Sequence, residues 1–261
     1  MTRTDDRGRG RAVTARPATL ATLTEQLGSV QEARWILDHA GDRWPELVER
    51  RLAGEPLQYV LGSWPFRHLD LMVDRRVLIP RPETEQVVEV ALAELDRLCW
   101  PSEPDVAAPA DESRLAARRV CVDLGTGSGA IALSLATEGT AIGRDLEVWA
   151  TDISADALAV AGHNLAALAA SPEVAPVHLM EGSWFAALPP GLAGRIDLLV
   201  TNPPYVPEAD IAGLDPVVRD WEPLGALAAG PGPDGVGGMA AIQVIIEAAP
   251  AWLGPDGAMV I

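Results

Sequence analysis

The sequence predicts an α/β fold, a mostly parallel sheet flanked by helices and preceded by a small N-terminal helical domain. Three observations carry this prediction. From Val120 onward, short apolar runs of strand length alternate with helical stretches, the pattern of βαβ units. The first run opens into a glycine-rich loop, Gly125-Thr-Gly-Ser-Gly129, and the next ends at Asp152. Upstream, from about residue 19 to residue 62, apolar residues recur at helix spacing instead.

Taken in order, residues 1–18 are polar and rich in Gly and Arg, and they read as a disordered tail. Residues 19–75 read as the helical domain. Val30, Ala33, Ile36 and Leu37 mark one helix and Leu47, Val48 and Leu52 another, with Gly41, Gly54-Glu-Pro56 and Gly62 as punctuation. Alternation of Leu69, Leu71, Val73, Val77 and Ile79 predicts a β-hairpin within residues 64–80, turning near Asp74-Arg-Arg76. Thr84 is expected to cap a helix carrying Val87, Val88, Ala91, Leu92, Leu95 and Leu98. Three prolines and scattered charge make residues 100–117 a linker, so 76–119 comprises the hairpin's end, a connecting helix and that linker.

Residues 120–261 form the expected ligand-binding domain. Strands are predicted at Val120–Leu124, Leu146–Thr151, Val177–Met180, Ile196–Val200 and from Gly257 to Ile261. Helices are predicted at Ala130–Ala136, from a Ser154 cap to about Ala169, and at Met239–Leu253. The chain stops at Ile261, inside the expected fifth strand.

Composition narrows the function. The formal charge is −17 and all 20 basic residues are Arg. So acidic a surface repels a phosphate backbone, and stable nucleic-acid binding is not expected. Cys99 and Cys121 lack metal-ligand spacing, and no metal site is predicted. The N-terminus lacks the apolar core of a signal peptide. No run reaches the roughly 20 apolar residues of a membrane span. A cytoplasmic enzyme is the expectation.

The glycine loop follows a strand and opens a helix, which suits close approach of a ligand to the backbone. Asp152, at the end of the next strand, is placed to accept both ribose hydroxyls of an adenosine. Asp123, at the end of the first strand, suits the ammonium of a methionine group. The spacing Gly125-x-Gly127-x-x-Ala130 also fits a dinucleotide fingerprint, and the loop by itself leaves both cofactors open.

Asn202-Pro-Pro-Tyr205 directly follows the strand Ile196–Val200. Two prolines stiffen the backbone there and cannot continue a sheet. The Asn202 side-chain oxygen and the Pro203 carbonyl then form a pair of acceptors for a planar –NH2 group, while the Tyr205 ring can stack on a flat substrate. Asn202 and Pro203 are therefore the candidate catalytic residues, and Asn202, Pro203, Pro204 and Tyr205 the candidate substrate contacts. Accepting both hydrogens localises electron density on the nitrogen, and positioning brings it to an electrophile at roughly 3–3.5 Å.

Together these features resemble the release-factor glutamine methyltransferase family. The resemblance extends to Gly54-Glu-Pro-Leu-Gln-Tyr-Val-Leu-Gly62 with Phe66, to Val77-Leu-Ile-Pro-Arg-Pro-Glu-Thr-Glu85, to Gly182-Ser-Trp-Phe185, and to Glu222-Pro-Leu-x-Ala-Leu227 with Gly235. It implies a class I Rossmann-like methyltransferase domain, lacking its C-terminal hairpin, behind a helical substrate-recognition domain. It also implies S-adenosylmethionine as cofactor and the glutamine of the Gly-Gly-Gln motif of peptide chain release factors as substrate. The matching cofactor positions are Gly125, Thr126, Gly127, Ser128, Gly129, Asp152, Trp184 and Asn202. Ser183 stands where the family usually has an acid. Other readings are an adenine or cytosine amino-methyltransferase, a ribosomal-protein glutamine methyltransferase and a non-catalytic cofactor-binding fragment. Arg81 and Glu83 either support the cofactor pocket or pair structurally.

Overall fold

The computed structural model describes residues 16–99, 118–141, 143–168, 173–230 and 238–261. Residues 1–15 of the expected tail and the whole expected linker at 100–117 lie outside them. The chain divides into two units, one ending at Leu61 and the other beginning at Gly62. The division falls before the hairpin, not at residue 75, because Phe66, Leu69 and Leu71 of the hairpin are buried in the core of the second unit.

The first unit comprises α1 (Arg16–Leu27), α2 (Val30–Ala40), α3 (Trp44–Leu52) and α4 (Leu57–Leu61). Ser29 caps α2 by accepting the Glu32 amide hydrogen at 3.2 Å, which satisfies one otherwise orphaned donor. Pro45 starts α3, where its missing N–H costs no bond. Leu23, Ala33, Ile36, Leu47, Val48 and Val60 form the core, with Trp35 and Trp44 packed against it. Trp64 belongs to the second unit.

That unit opens with an antiparallel hairpin, β1 (Ser63–Phe66) and β2 (Leu69–Met72). Its turn is at Arg67-His68, not at Asp74-Arg-Arg76. Arg67 has φ +50°, uncommon for a residue with a Cβ. It is held there by Glu138, which accepts from Nε and Nη2 at 2.6 and 2.7 Å, and by Glu85, which accepts the Arg67 amide hydrogen at 3.0 Å. Asp74-Arg-Arg76 is a separate bend, closed locally where Asp74 accepts the Arg76 amide hydrogen at 3.0 Å. Next, α5 runs from Pro82 to Cys99. Proline is favourable at a first helical position, so Thr84 lies inside the first turn instead of capping it.

The sheet contains β3 (Arg119–Leu124), β4 (Leu146–Asp152), β5 (Val177–Glu181), β6 (Ile196–Thr201) and β7 (Leu253–Val260), ordered β5-β4-β3-β6-β7 with every pair parallel. Helices α6 (Ala130–Ala141) and α7 (Ala155–Leu168) connect its first strands. The short α8 (Pro216–Arg219) and α9 (Leu224–Leu227), then α10 (Ala240–Ala248), lie between β6 and β7. Alternation along β3 sends Cys121 into a core with Leu95, Leu133 and Leu135, and Val120, Val122 and Leu124 into a core with Phe185, Leu199 and Ile245. Each fully buried side chain of this size contributes about 1.5–3 kcal/mol. Helix α10 ends at Ala248, short of the expected Leu253, because Pro250 cannot continue it. Strand β7 accordingly begins at Leu253, before the expected Gly257. Gly257 is needed there, since a Cβ would lie 2.6 Å from the Ile196 carbonyl oxygen.

From β3 the chain steps to β4 on one side and returns as β6 on the other. That reversal opens a crevice at the strands' C-terminal ends. Asn164 of α7 braces its floor. It accepts the Met72 amide hydrogen at 2.8 Å and donates to the carbonyls of Met72 and Ser128 at 3.1 and 2.9 Å. Asn164→Ala is expected to destabilise the fold by about 1–3 kcal/mol for each buried polar group left unpaired. An unchanged urea midpoint would contradict this bracing role.

Candidate functional site

The crevice holds a cavity of about 340 Å³. Its wall is built from the loops that leave four strands. Gly125 and Gly127 follow β3, Asp152, Ile153 and Ser154 follow β4, Gly182–Trp184 follow β5, and Asn202 and Pro204 follow β6. Arg76–Leu78, Thr151, Ala157, Pro223, Gly225 and Ala226 complete it.

The loop after β3 is held from below. The amides of Gly125 and Thr126 donate to the Thr151 carbonyl at 2.8 and 2.9 Å, and that of Gly129 to the Thr126 carbonyl at 2.9 Å. The Gly127 amide donates to Asp152 Oδ2 at 2.9 Å. With these hydrogens engaged, and a carboxylate on one of them, the loop is a poor cradle for a pyrophosphate, which needs free N–H groups at the helix N-terminus. Gly125 must be glycine for two reasons. Its φ is +76°, and a Cβ there would lie 3.3 Å from the Trp184 ring.

Asp152 Oδ1 accepts the Ser154 amide hydrogen at 2.9 Å. Each oxygen thus spends one acceptor site on the backbone. A carboxylate has roughly four such sites, so about two remain for a diol. Trp184 holds φ +47°, a conformation stored at the cavity edge, and Ser183 lies beside it.

Asp123 is placed differently from the expectation. It is fully buried and absent from the cavity wall. Its Oδ2 accepts from Thr126 Oγ1 at 2.7 Å and from the Ala132 amide at 3.1 Å, while Oδ1 has no hydrogen-bond partner among the described residues. Within the chain it supports the loop and the start of α6. Burial, reinforced by the nearby Asp152 charge and opposed by the bonds to Thr126 and Ala132, pushes its carboxyl up to about 7.

Thr126 and Ser128 are buried behind the wall, and Gly129 packs toward Leu133. Asn202 is on the wall, its Nδ2 donating to Thr84 Oγ1 at 3.2 Å. Pro203 is buried, Pro204 lines the cavity, and Tyr205 is 60% exposed and off the wall. Thr201, just before Asn202, donates to the Leu124 carbonyl at 2.7 Å.

Several site residues were not singled out from sequence. Ile153 lines the cavity while 75% exposed, an aliphatic surface left open beside Asp152. Arg81 pairs with Glu222 at 2.7 Å, and Glu222 also accepts the Ile79 amide hydrogen at 3.3 Å. Burial raises the Glu222 carboxyl, against the lowering effect of Arg81. This pair joins the two flanking segments of the cavity. The sequence marks Arg81 as either supporting the pocket or pairing, whereas the only signal for Glu222 is the family resemblance of its segment.

A family model described as Methyltransferase small domain matches residues 110–213. The chain is similar to the protein named Release factor glutamine methyltransferase in three bacteria. That of Gloeobacter violaceus is 38% identical over 91% of this chain and 71% of its own length. That of Burkholderia pseudomallei is 39% identical over 83% and 66%, and that of Bordetella pertussis 40% identical over 86% and 73%.

Asp123 makes stability depend on pH. Its carboxyl moves from an ordinary value of 3.8 to about 7 in the fold, so the folded state keeps a proton that the unfolded chain loses between those values. The stabilisation is complete below the lower value and is lost as pH rises through the upper one. The wild-type urea midpoint is expected to fall more between about pH 5 and about pH 8 than that of Asp123→Asn. Parallel pH profiles for the two proteins would refute this assignment.

Proposed function

The chain belongs to the release factor glutamine methyltransferase family, and on that premise we propose that it methylates the side-chain amide nitrogen of the glutamine in the Gly-Gly-Gln motif of peptide chain release factors, with S-adenosylmethionine as methyl donor. The observation that carries this reading is one shared wall. Asn202 and Pro204 line the same cavity as Gly125, Gly127 and Asp152, so an amide-binding loop faces a nucleoside-binding loop across about 340 Å³.

The residues present fit the cofactor. Gly125 leaves room under the Trp184 ring where a Cβ would intrude, and Asp152 keeps acceptor sites for ribose hydroxyls. Ile153 and Trp184 offer apolar surface to a flat heterocycle, with Ser183 as a neutral polar neighbour. When bound, S-adenosylmethionine supplies an electrophilic methyl group. Asp123 acts one layer below, holding Thr126 and the first turn of α6 in place.

An amide nitrogen is a weak nucleophile because its lone pair is delocalised. Asn202 Oδ1 and the Pro203 carbonyl accept its two hydrogens, which orients the –NH2 plane and raises electron density on nitrogen. Pro203 and Pro204 restrict backbone rotation, so little order is lost on binding. No strong base is needed before transfer, since the proton can leave afterwards. Tyr205, exposed beside the wall residue Pro204, is available to stack on the incoming glutamine segment.

We assign substrate recognition to the helical unit ending at Leu61. Removing residues 1–61 is expected to leave S-adenosylhomocysteine binding intact, by calorimetry, and to abolish methylation of an intact release factor. Full-rate methylation by the shortened protein would refute this division of labour. Asn202→Ala is expected to lower single-turnover methyl transfer to a release factor by about 10²–10³-fold, as for other positioned polar groups at a transition state. Its fold should survive and its affinity for S-adenosylhomocysteine should fall less than its rate. A folded variant with near wild-type turnover would mean that the loop is only a turn.

A further inference from the structure

An asparagine amide has an acceptor end and a donor end of nearly the same shape, and its terminal torsion has roughly two-fold symmetry. Only the acceptor end can take a hydrogen from a substrate –NH2. Turned over, Nδ2 would meet that group donor to donor. A loop that relies on Asn202 Oδ1 therefore needs something to keep the amide from turning.

Thr84 engages the donor end and so anchors the amide in place. Its hydroxyl oxygen accepts from Asn202 Nδ2 at 3.2 Å, across 118 residues of chain, and Thr84 is buried. The backbone that carries this hydroxyl is well anchored. The Thr84 amide donates to the Arg81 carbonyl at 3.0 Å, and the Arg81 guanidinium is paired with the buried Glu222 at 2.7 Å. On the other side, the neighbouring Glu85 accepts the Arg67 amide hydrogen at 3.0 Å, and its carbonyl accepts from Arg67 Nη1 at 3.1 Å. The first turn of α5 is thus fixed on both sides of Thr84.

We infer that Thr84 is a positioning residue for methyl transfer: by bonding the Nδ2 end of Asn202, its hydroxyl anchors the amide at the cavity wall and leaves Oδ1 for the substrate nitrogen. This rests on the amide-binding role proposed for Asn202. Thr84 touches neither substrate nor cofactor in this scheme, and it acts through Asn202.

The test is single-turnover methyl transfer from S-adenosylmethionine to a release factor by the full chain, with Thr84→Val, Thr84→Ser, Asn202→Ala and the Thr84→Val/Asn202→Ala double variant. Thr84→Val should lower kcat by about 3- to 10-fold, the loss of roughly one hydrogen bond, with the KM for release factor and the affinity for S-adenosylhomocysteine nearly unchanged. Thr84→Ser keeps the hydroxyl and should restore the rate. In the Asn202→Ala background, Thr84→Val should add no further loss. A wild-type rate for Thr84→Val, a defect that Thr84→Ser does not restore, or additive losses would overturn the inference. If Thr84→Val fails to fold, Thr84→Ala against Thr84→Ser carries the same comparison, and equal rates for those two overturn it. A fast Asn202→Ala enzyme would instead remove the premise, whereas a slow Asn202→Ala beside a fast Thr84→Val removes only the role of Thr84.

Discussion

At the last rung of the β3–β6 pairing, Leu124 faces Thr201, and the Thr201 hydroxyl donates to the Leu124 carbonyl at 2.7 Å. Each of these residues is the last before a loop of the cavity wall, the glycine loop on one side and Asn202-Pro-Pro-Tyr205 on the other. Both are fully buried. Tying the two strands at this point fixes where both loops depart, so their facing arrangement is a property of the sheet and not of the loops' own flexibility. The glycine loop is secured again on its other side, where Gly125 and Thr126 donate to the Thr151 carbonyl. Three adjacent strand ends thereby become one rigid rim.

Two aspartates at neighbouring strand ends show how burial separates roles. Asp152 lines the cavity and accepts from two backbone amides while keeping acceptor sites open. Asp123 is sealed beneath the same loop, and its carboxyl is raised to about 7 by lost hydration. Sequence reasoning gave both a ligand-facing role because both end a strand. Strand alternation and the packing of α6 turn Asp123 toward Thr126 and the Ala132 amide.

What was legible in the sequence followed from local periodicity and from residues with special backbone chemistry. The parallel sheet, its order of strands and helices, the glycine loop and the Pro-Pro loop all belong to that class. Boundaries suffered where local signals competed. Asp74-Arg-Arg76 has the composition of a turn and does bend, yet the hairpin reverses at Arg67, whose positive φ depends on Glu138, 71 residues away. Thr84 has the composition of a cap and instead meets Asn202, 118 residues away. Neither partnership leaves a mark in the neighbouring sequence.

The sequence by itself determined the fold class and the presence of a glycine loop and an Asn-Pro-Pro-Tyr loop at strand ends, because these depend on periodicity and on the intrinsic properties of Gly, Pro and Asn. Only the tertiary structure decided which of those residues share a cavity, which are buried behind it, and which distant side chains hold them. Gly127, Asp152 and Asn202 come to one wall because parallel strands end side by side, while Asp123 faces inward and Tyr205 outward. Proximity of this kind arises from chain segments far apart in sequence packing on one sheet, and no local pattern encodes it.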